Sequence, residues 1–374
     1  VVGPNVKVWP DKVVDERAIL THSLIWGEAW ERTLFHGARV SGIPNAEVTP
    51  EIAARLGGAY GAMLGKGAYV AASRDSDAAS RMINRAIITG LMSVGVNVED
   101  LREMPIPVVR HAVNYGRENG GIHVRRSPFD SKVVDILFFD DDGRDLPPGK
   151  TQSIERLFGR EDFPRAGPDG TGDLNYPTRV VEGYREHFLS EVDRALIAER
   201  RFTLVVDYAY GTTVQVFPGL LGVLHTETVS LDAYEAPGRL SRSEEEFRDA
   251  LARLGGIVRS IDAELGLWTD PGGEVIHLVD DTGRPLSPEL AQVVFVGLAL
   301  EHLGVRRVAI PVTSPVITAN IIREAGAELI WTKTEHHAMM ASAAEADFVA
   351  GVRGEFIFPA FIPAYDGMFA AVKL

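Results

Sequence analysis

The first residues of the chain carry apolar side chains at intervals of six. One row of this repeat comprises Val2, Val8, Val14, Leu20 and Trp26. This interval fits neither the helical period of 3.6 nor the alternation of a strand, and it is typical of the short strands of a β-solenoid. We therefore predict that residues 1–30 are the last coils of a left-handed, hexapeptide-repeat β-helix. The alternative is a chance run of valines within two ordinary strands.

After this repeat the pattern becomes that of alternating strands and helices. A linker is predicted over residues 31–47, where the six-residue spacing stops. Thr49, Pro50 and Glu51 then supply a capping side chain, a proline at the first helical position and an acidic first turn. Farther along, a strand, a polar turn, a helix and a second strand occur together three times. Such repeated units predict an α/β protein with mixed or parallel sheets.

The spacing of the three units predicts how the chain divides into domains. Their first strands begin near residues 69, 203 and 305, so the copies lie roughly 100 to 135 residues apart, which is enough chain for a domain each. Segments rich in glycine, proline and aspartate mark the boundaries between them. We therefore predict three consecutive α/β domains, over residues 48–172, 173–287 and 288–374.

Composition and charge narrow the possible partners and chemistry. The 38 basic and 52 acidic side chains give a net charge of −14, which argues against nucleic acid or an acidic membrane as the main partner. The lack of cysteine excludes a disulfide scaffold, a thiolate zinc site, an iron–sulfur cluster and a cysteine nucleophile. No stretch reaches the ~18 apolar residues of a membrane helix, and nothing at the start of the chain indicates export. We expect a cytoplasmic protein.

Common nucleotide-binding and hydrolase motifs are missing. The chain has no G-x-G-x-x-G, no G-x-S-x-G and no H-E-x-x-H. Gly65 and Lys66 suggest a phosphate-binding loop, but Gly67 replaces the serine or threonine that this loop requires. The adjacent pair His336 and His337 points in different directions on either a strand or a helix, which favours surface histidines over a chelating pair.

The most informative segment runs from residue 120 to residue 143. It reads Gly-Gly-Ile-His-Val-Arg-Arg-Ser up to Ser127, and it ends in Phe-Phe-Asp-Asp-Asp-Gly. An apolar strand thus delivers a serine into a loop, and a hairpin with an acid-rich turn follows. This segment resembles the phosphoserine loop of the α-D-phosphohexomutases, the phosphomannomutase/phosphoglucomutase family. In that family Gly-Gly-Ile-x-Val precedes Thr-Ala-Ser-His-Asn-Pro, and a Phe-Asp-x-Asp-Gly turn follows at the same distance.

Two later segments extend the resemblance to most of the chain. Residues 263–267 and 279–284 follow the region of the family's metal-binding loop, and Gly354 with a nearby Ile-Phe-Pro follows its sugar-binding loop. The resemblance covers residues from about 48 to 374. It implies three of the family's four α/β domains, with the fourth, which carries a phosphate clamp, outside this chain.

The resemblance also implies a chemistry and a set of site residues. In the family, a phosphoserine donates its phosphoryl group to a sugar monophosphate and takes another back from the bisphosphate. A divalent cation, usually Mg²⁺, is held by the phosphoserine and by three aspartates of a D-x-D-x-D loop. By this resemblance Ser127 is the candidate nucleophile. Lys333, His336, Arg353 and Glu355 are the candidate contacts to a sugar phosphate.

The same loops depart from the family's motifs. Asp270 is retained as the first metal ligand, but Gly272 stands at the second and Glu274 at the third. Arg125 and Arg126 replace the Thr-Ala that precedes the serine, and the two carboxylates of the sugar-binding loop are replaced as well. Two interpretations stay open. The serine belongs to an eroded site, or it is a working nucleophile beside which one of the two arginines substitutes for the charge of the metal.

The order of β-helix, linker and mutase-like domains is similar to that of certain bacterial fusion proteins. In these, a sugar-1-phosphate nucleotidyltransferase of the mannose-1-phosphate guanylyltransferase kind precedes a phosphomannomutase. The resemblance implies that the chain is part of a longer polypeptide whose nucleotidyltransferase core precedes residue 1. The open end of the β-helix further predicts a homo-oligomer.

Together these observations predict a phosphohexomutase-like module of a sugar-nucleotide biosynthesis protein with an eroded catalytic site. Its role would be regulatory, sugar-phosphate-binding or one of assembly, for the attached nucleotidyltransferase. The alternative is an active intramolecular phosphotransferase that interconverts hexose 6-phosphate and hexose 1-phosphate through phosphorylated Ser127.

Overall fold

The structure, a computed structural model, describes residues 34–160 and 163–373. The β-helix predicted over residues 1–30 lies outside the described residues and stays a prediction. The strands are β1 (Arg39–Gly42), β2 (Tyr69–Arg74), β3 (Asn97–Glu103), β4 (Gly121–Ser127), β5 (Asp130–Phe139), β6 (Leu174–Asn175), β7 (Thr203–Asp207), β8 (Glu227–Leu231), β9 (Leu265–Thr269), β10 (Ile276–Val279), β11 (Arg307–Pro311), β12 (Glu328–Thr332), β13 (Phe348–Ala350) and β14 (Phe356–Ile357).

Helices alternate with these strands along the chain. They are α1 (Pro50–Leu64), α2 (Ala78–Met92), α3 (Ile106–Tyr115), α4 (Pro148–Arg160), α5 (Val180–Ser190), α6 (Arg194–Arg200), α7 (Phe217–Val223), α8 (Glu244–Ser260), α9 (Pro288–His302), α10 (Val316–Glu324), α11 (His336–Ser342) and α12 (Gly367–Lys373). The predicted α/β class is confirmed. None of the described helices combines the length and apolar character that a bilayer span needs.

The first sheet has the strand order β1-β5-β4-β2-β3-β6. Strands β4, β2, β3 and β6 run parallel, and β5 and β1 complete one edge in antiparallel register. Strand β1 lies within the segment predicted as a linker, where Val40 is fully buried and pairs with Ile136. Its four residues carry only one large apolar side chain, so the sequence gives no sign of a strand there.

The second and third sheets have four strands each, in the orders β10-β9-β7-β8 and β12-β11-β13-β14. In both, the central strands are parallel and one edge strand is antiparallel. The three units predicted from the sequence are found as β2-α2-β3, β7-α7-β8 and β11-α10-β12. The predicted helix start is also found, since α1 begins at Pro50 and the Thr49 hydroxyl accepts a hydrogen bond from the Ile52 amide at 3.4 Å.

The three sheets share an apolar core, and each sheet together with its helices and loops is called a unit below. One cluster of buried side chains includes residues from all three units, for example Phe139, Phe217 and Phe361. A second cluster fills the space between the first sheet and helices α1 and α2. The shared core holds the carboxyl ends of β4, β9 and β13 in fixed relation to one another, and the loops that follow these strands form the candidate site.

Candidate functional site

Strand β4 ends at Ser127, and the chain turns back almost at once. Pro128 and Phe129 form the turn, and Ser127 already pairs with Asp130 of β5. The loop expected after the serine is therefore a two-residue hairpin turn. Proline at the first turn position fixes a backbone angle suited to such a turn.

The second unit holds this hairpin from outside. The Ser241 hydroxyl donates to the Ser127 carbonyl, and the Arg242 amide donates to the Pro128 carbonyl at 2.9 Å. Ser127 itself is half-buried. The serine thus lies at a contact between two units, with its backbone fixed from both sides.

Arg125 lies among three carboxylates, one from β5 and two from the loop between β9 and β10. Its Nε is 3.7 Å from Asp135 Oδ2, and its Nη1 is 3.8 Å from Asp270 Oδ2 and 3.7 Å from Glu274 Oε2. The side chain is only 14% exposed. Burial acts to lower the pKa of Arg125, but the three carboxylates outweigh it and raise this pKa above its ordinary value. The guanidinium is therefore firmly charged.

Arg126, the next residue, takes part in a different set of contacts. Its Nη2 donates to Asp77 Oδ1 at 2.8 Å, and its amide donates to Asp75 Oδ2 at 2.6 Å. Asp77 caps α2 through the amides of Ala79 and Ser80. Arg126 is thus engaged with the start of a helix in its own unit, and of the two candidate arginines only Arg125 faces the 270–274 loop.

The loop between β9 and β10 carries the two predicted metal ligands. Asp270 turns back onto its own loop, where its oxygens accept the Gly272 amide at 3.0 Å and the Val275 amide at 2.8 Å. Burial raises the pKa of Asp270, and the charge of Arg125 offsets part of this effect. A Cβ atom at position 272 would lie 2.8 Å from Ile106 Cδ1. A side chain cannot enter there unless its neighbours move.

The other ligand candidate, Glu274, is bound by a second arginine. Its Oε1 accepts from Arg110 Nε at 2.9 Å. Arg110 also donates to Asp145 Oδ1 at 2.7 Å and to the Gly143 carbonyl at 2.8 Å, and its guanidinium lies 4.1 Å from the centre of the Phe139 ring. Burial acts against the charge of Arg110, but Glu274 and Asp145 raise its pKa.

Sequence reasoning missed both Arg110 and Asp135. Arg110 lies in the apolar run Ile-Pro-Val-Val-Arg-His-Ala-Val of α3, and Asp135 interrupts the apolar end of β5. A charged residue in an otherwise buried segment is a usable sign of a paired charge. Ser41 of β1 donates its hydroxyl to Asp135 Oδ1 at 2.6 Å.

The predicted sugar-binding loop pairs with the metal-loop region through its backbone. Val275 and Glu355 form an antiparallel bridge, and the Ile276 amide donates to the Gly354 carbonyl at 3.0 Å. Gly354 has a φ of +92°, and a Cβ atom there would lie 2.2 Å from the Ile276 carbonyl oxygen, so the close approach requires glycine.

The four predicted sugar-phosphate contacts differ in accessibility. Glu355 is buried, and its Oε2 accepts the Arg353 amide at 2.6 Å, so this carboxylate stabilises its own loop. Arg353 and Lys333 are exposed, and among the described residues neither takes part in an ion pair. His336 is also exposed, with Nδ1 4.0 Å from Asp145 Oδ2. Lys333 and Arg353 follow β12 and β13, on either side of β11.

Sequence profiles of a known family match the first two units. The profile described as phosphoglucomutase/phosphomannomutase, alpha/beta/alpha domain I, matches residues 32–165, and that of domain II matches residues 182–283. Together they cover more than half of the chain. The chain belongs to the phosphohexomutase family. The resemblance seen in the sequence is thereby confirmed at the level of the family.

Individual phosphohexomutase relatives resemble the chain over most of its length. A phosphoglucomutase/phosphomannomutase of Thermococcus kodakarensis is 27% identical over 347 residues, which are 91% of this chain and 76% of that protein. A phosphoglucosamine/phosphogalactosamine mutase of Sulfurisphaera tokodaii is 24% identical over 339 residues, 89% of this chain and 74% of that protein. The chain therefore spans about three quarters of these relatives.

A solved structure shows the same fold. The phosphoglucomutase/phosphomannomutase family protein of Burkholderia thailandensis superimposes with a TM-score of 0.81 at 20% identity. The match covers 91% of this chain and 75% of that protein. The arrangement of the three sheets is thus that of the phosphohexomutase fold.

The residues of the candidate site do not fit the Mg²⁺ that the family uses. Mg²⁺ requires an octahedron of oxygen ligands at about 2.0–2.1 Å. Here the oxygens of Asp270 accept hydrogen bonds from backbone amides, and Glu274 accepts one from Arg110. The guanidinium of Arg125 also faces both carboxylates. Within residues 34–160 and 163–373, no group of three metal-ligating side chains is arranged to hold a cation.

Proposed function

We propose that this chain is a phosphohexomutase-family module that binds hexose phosphates but has lost metal-dependent phosphoryl transfer. It would serve a regulatory, sugar-phosphate-binding or assembly role for an attached nucleotidyltransferase. This proposal rests on the two carboxylates of the 270–274 loop, which are already engaged by other groups of the chain. Asp270 accepts two backbone amides, Glu274 Oε1 accepts a hydrogen bond from Arg110, and Glu274 Oε2 faces the Arg125 guanidinium at 3.7 Å.

The energetic consequence for catalysis is large. Phosphoryl transfer develops charge that must be met by fixed positive groups, and losing one such set of donors costs about 3–4 kcal/mol of barrier. That is a factor of roughly 10²–10³ in rate.

Binding of a hexose phosphate is supported by the exposed cations of the third unit. Lys333 and Arg353 follow the carboxyl ends of the parallel strands β12 and β13, on either side of β11, and ligands of α/β sheets bind at this edge. Neither charge is neutralised by a carboxylate among the residues described. The relatives are named as mutases of glucose, mannose, glucosamine and galactosamine phosphates, which supports a hexose phosphate as the ligand class.

The attached nucleotidyltransferase and the homo-oligomer are the parts of the proposal that depend on sequence pattern alone. The six-residue repeat of residues 1–30 supports both, because β-helices of this kind follow nucleotidyltransferase cores and pack through their flat faces.

A turnover assay tests the catalytic part of the proposal. The complete protein is incubated with glucose 1-phosphate or mannose 1-phosphate, the matching 1,6-bisphosphate and Mg²⁺, and hexose 6-phosphate is measured. We expect no more product than from Ser127→Ala. In parallel, glucose 1-phosphate should raise the unfolding temperature of the wild type, and Lys333→Ala should reduce this shift. Turnover that disappears in Ser127→Ala would refute the proposal.

The alternative is an active mutase that works through phosphorylated Ser127. One observation favours it: Ser127 directly follows two arginines at the end of β4, and fixed guanidinium groups can stabilise a transferring phosphoryl group. The same assay decides between the two, since only the active mutase depends on the serine hydroxyl.

A further inference from the structure

The charge of Arg125 lies where the family resemblance implies a metal ion. Its guanidinium faces Asp270 and Glu274, the first and third positions of the metal-binding loop, at 3.8 and 3.7 Å. We propose that Arg125 occupies the position of the divalent cation, so that the loop carboxylates are paired with a guanidinium and the site takes no metal. This goes beyond the proposed function, because it holds whether or not the chain turns over hexose phosphates.

The contacts of Arg125 are those of a central cation. The three carboxylates come from β5 and from the loop between β9 and β10, so they converge on the guanidinium from two units. All three distances lie between 3.7 and 3.8 Å, beyond a directed hydrogen bond. Arg125 Nε and Asp135 Oδ2 are both buried without a hydrogen-bond partner among the described residues. Attraction between charges, and not a bidentate pair, therefore holds the cluster.

Gly272 and Arg125 are complementary. A Cβ atom at position 272 would lie 3.2 Å from Arg125 Nη1 and 3.1 Å from Asp270 Oδ2. A carboxylate in the second position of the loop would thus need the space that the guanidinium now fills. Relative to the family motif, the loop lacks its middle aspartate and β4 carries an arginine. These two differences belong together, because the Arg125 side chain takes the space of a metal ligand and supplies a positive charge in place of the metal.

A second guanidinium, that of Arg110, also contacts the loop. Arg110 Nη2 lies 2.8 Å from Glu274 Oε1, so Glu274 is shared between two arginines. A divalent cation at this position would meet two positive groups and only carboxylates that are already paired. Repulsion from these positive groups therefore weakens the binding of Mg²⁺, in addition to the effect of the missing ligand.

Wild-type protein provides the first test, with Mn²⁺ as the probe. The complete protein is stripped with EDTA, titrated with Mn²⁺, and followed by electron paramagnetic resonance and by thermal unfolding. We expect no site with an affinity tighter than millimolar and no shift of the unfolding temperature. Stoichiometric Mn²⁺ binding that disappears in Asp270→Asn would overturn the inference.

The variant Arg125→Ala provides the second test. It takes the shared cation away from Asp135, Asp270 and Glu274, of which Glu274 keeps Arg110, and this should lower the unfolding temperature by roughly 10 °C. Millimolar Mn²⁺ should recover several degrees of this loss, since a ligand that binds only the folded state stabilises it by mass action. If Arg125→Ala folds and Mn²⁺ changes nothing, the position is not a cation site and the inference is wrong.

Arg126→Ala is the matched control. This variant also removes an arginine charge, but Arg126 pairs with Asp77, which caps α2. Its unfolding temperature should not respond to Mn²⁺, and Arg125→Lys should behave like the wild type. Should Arg125→Ala fail to fold, the wild-type titration still decides. Mutase turnover without Mn²⁺ binding would contradict the proposed function and leave this inference standing.

Discussion

At the scale of single residues, Arg125 and Arg126 show what an alternating strand does to adjacent charges. Side chains of neighbouring strand residues point to opposite faces, so the two arginines reach different partners. One faces the carboxylates around Asp270, and the other binds Asp77. The sequence indicates that they diverge, but it cannot indicate which one faces the 270–274 loop, because that loop comes from another unit.

Asp366 is a buried acid whose charge is poorly compensated. Its Oδ2 accepts the Tyr184 hydroxyl at 2.6 Å, and its Oδ1 accepts the Phe369 amide at 2.9 Å. Burial nevertheless raises the pKa of Asp366 to about 7. The folded state therefore favours the neutral carboxyl group, whereas the unfolded chain ionises near pH 4.

The pH dependence of stability follows from this difference. Because the folded pKa is raised, the stabilising contribution of neutral Asp366 is complete below about pH 4 and is lost as the pH rises to about 7. We expect Asp366→Asn to gain stability relative to the wild type by up to about 4 kcal/mol between pH 4 and pH 8. Thermal unfolding of both proteins across this range measures the difference. A difference that does not change with pH would contradict the assignment.

At the scale of elements, helices α1 and α2 cross in backbone contact. A Cβ atom at Gly90 would lie 1.9 Å from the Ala54 carbonyl oxygen, and one at Gly57 would lie 2.3 Å from the Ile87 carbonyl oxygen. The two glycines therefore set the distance between the helices. This packing holds α2, whose amino end binds Arg126 through Asp77.

Gly90→Ala should separate the two helices and destabilise the protein. Forcing a methyl group into a closed contact costs about 1–3 kcal/mol, and a clash with rigid backbone lies at the upper end. Gly183→Ala in α5 is the control, because no atom lies within 4 Å of the added methyl group. This control should gain up to about 1 kcal/mol from helix propensity. Urea unfolding measures both, and equal effects would refute the packing argument.

The elements that the sequence predicts are those with local signals. Helix α1 is indicated by its cap at Thr49, and the strand–helix–strand units are indicated by apolar periodicity. Strand β1 and the tight hairpin after Ser127 are missed, because both are fixed by pairing with β5. Pairing between distant segments leaves little trace in local composition.

At the scale of the whole molecule, the candidate site is assembled from segments far apart in sequence. Arg110 of α3 connects Asp145 in its own unit with Glu274 of the second unit, and its Nη1 lies 3.7 Å from Met340 Sδ of the third. Family motifs locate Ser127, Asp270 and the loop around Gly354 from sequence. The arginines that fill the space between these motifs follow only from the packing of the three units.

The proposed function depends above all on the loss of phosphoryl transfer through Ser127. Its most direct test is intact-protein and peptide mass spectrometry after incubation with glucose 1,6-bisphosphate and Mg²⁺. We predict that the wild type, like Ser127→Ala, acquires no phosphoryl group. The opposite result would be a phosphorylated peptide that contains Ser127, formed in the wild type in an amount comparable to that of the protein and absent from Ser127→Ala. This result would contradict the proposal.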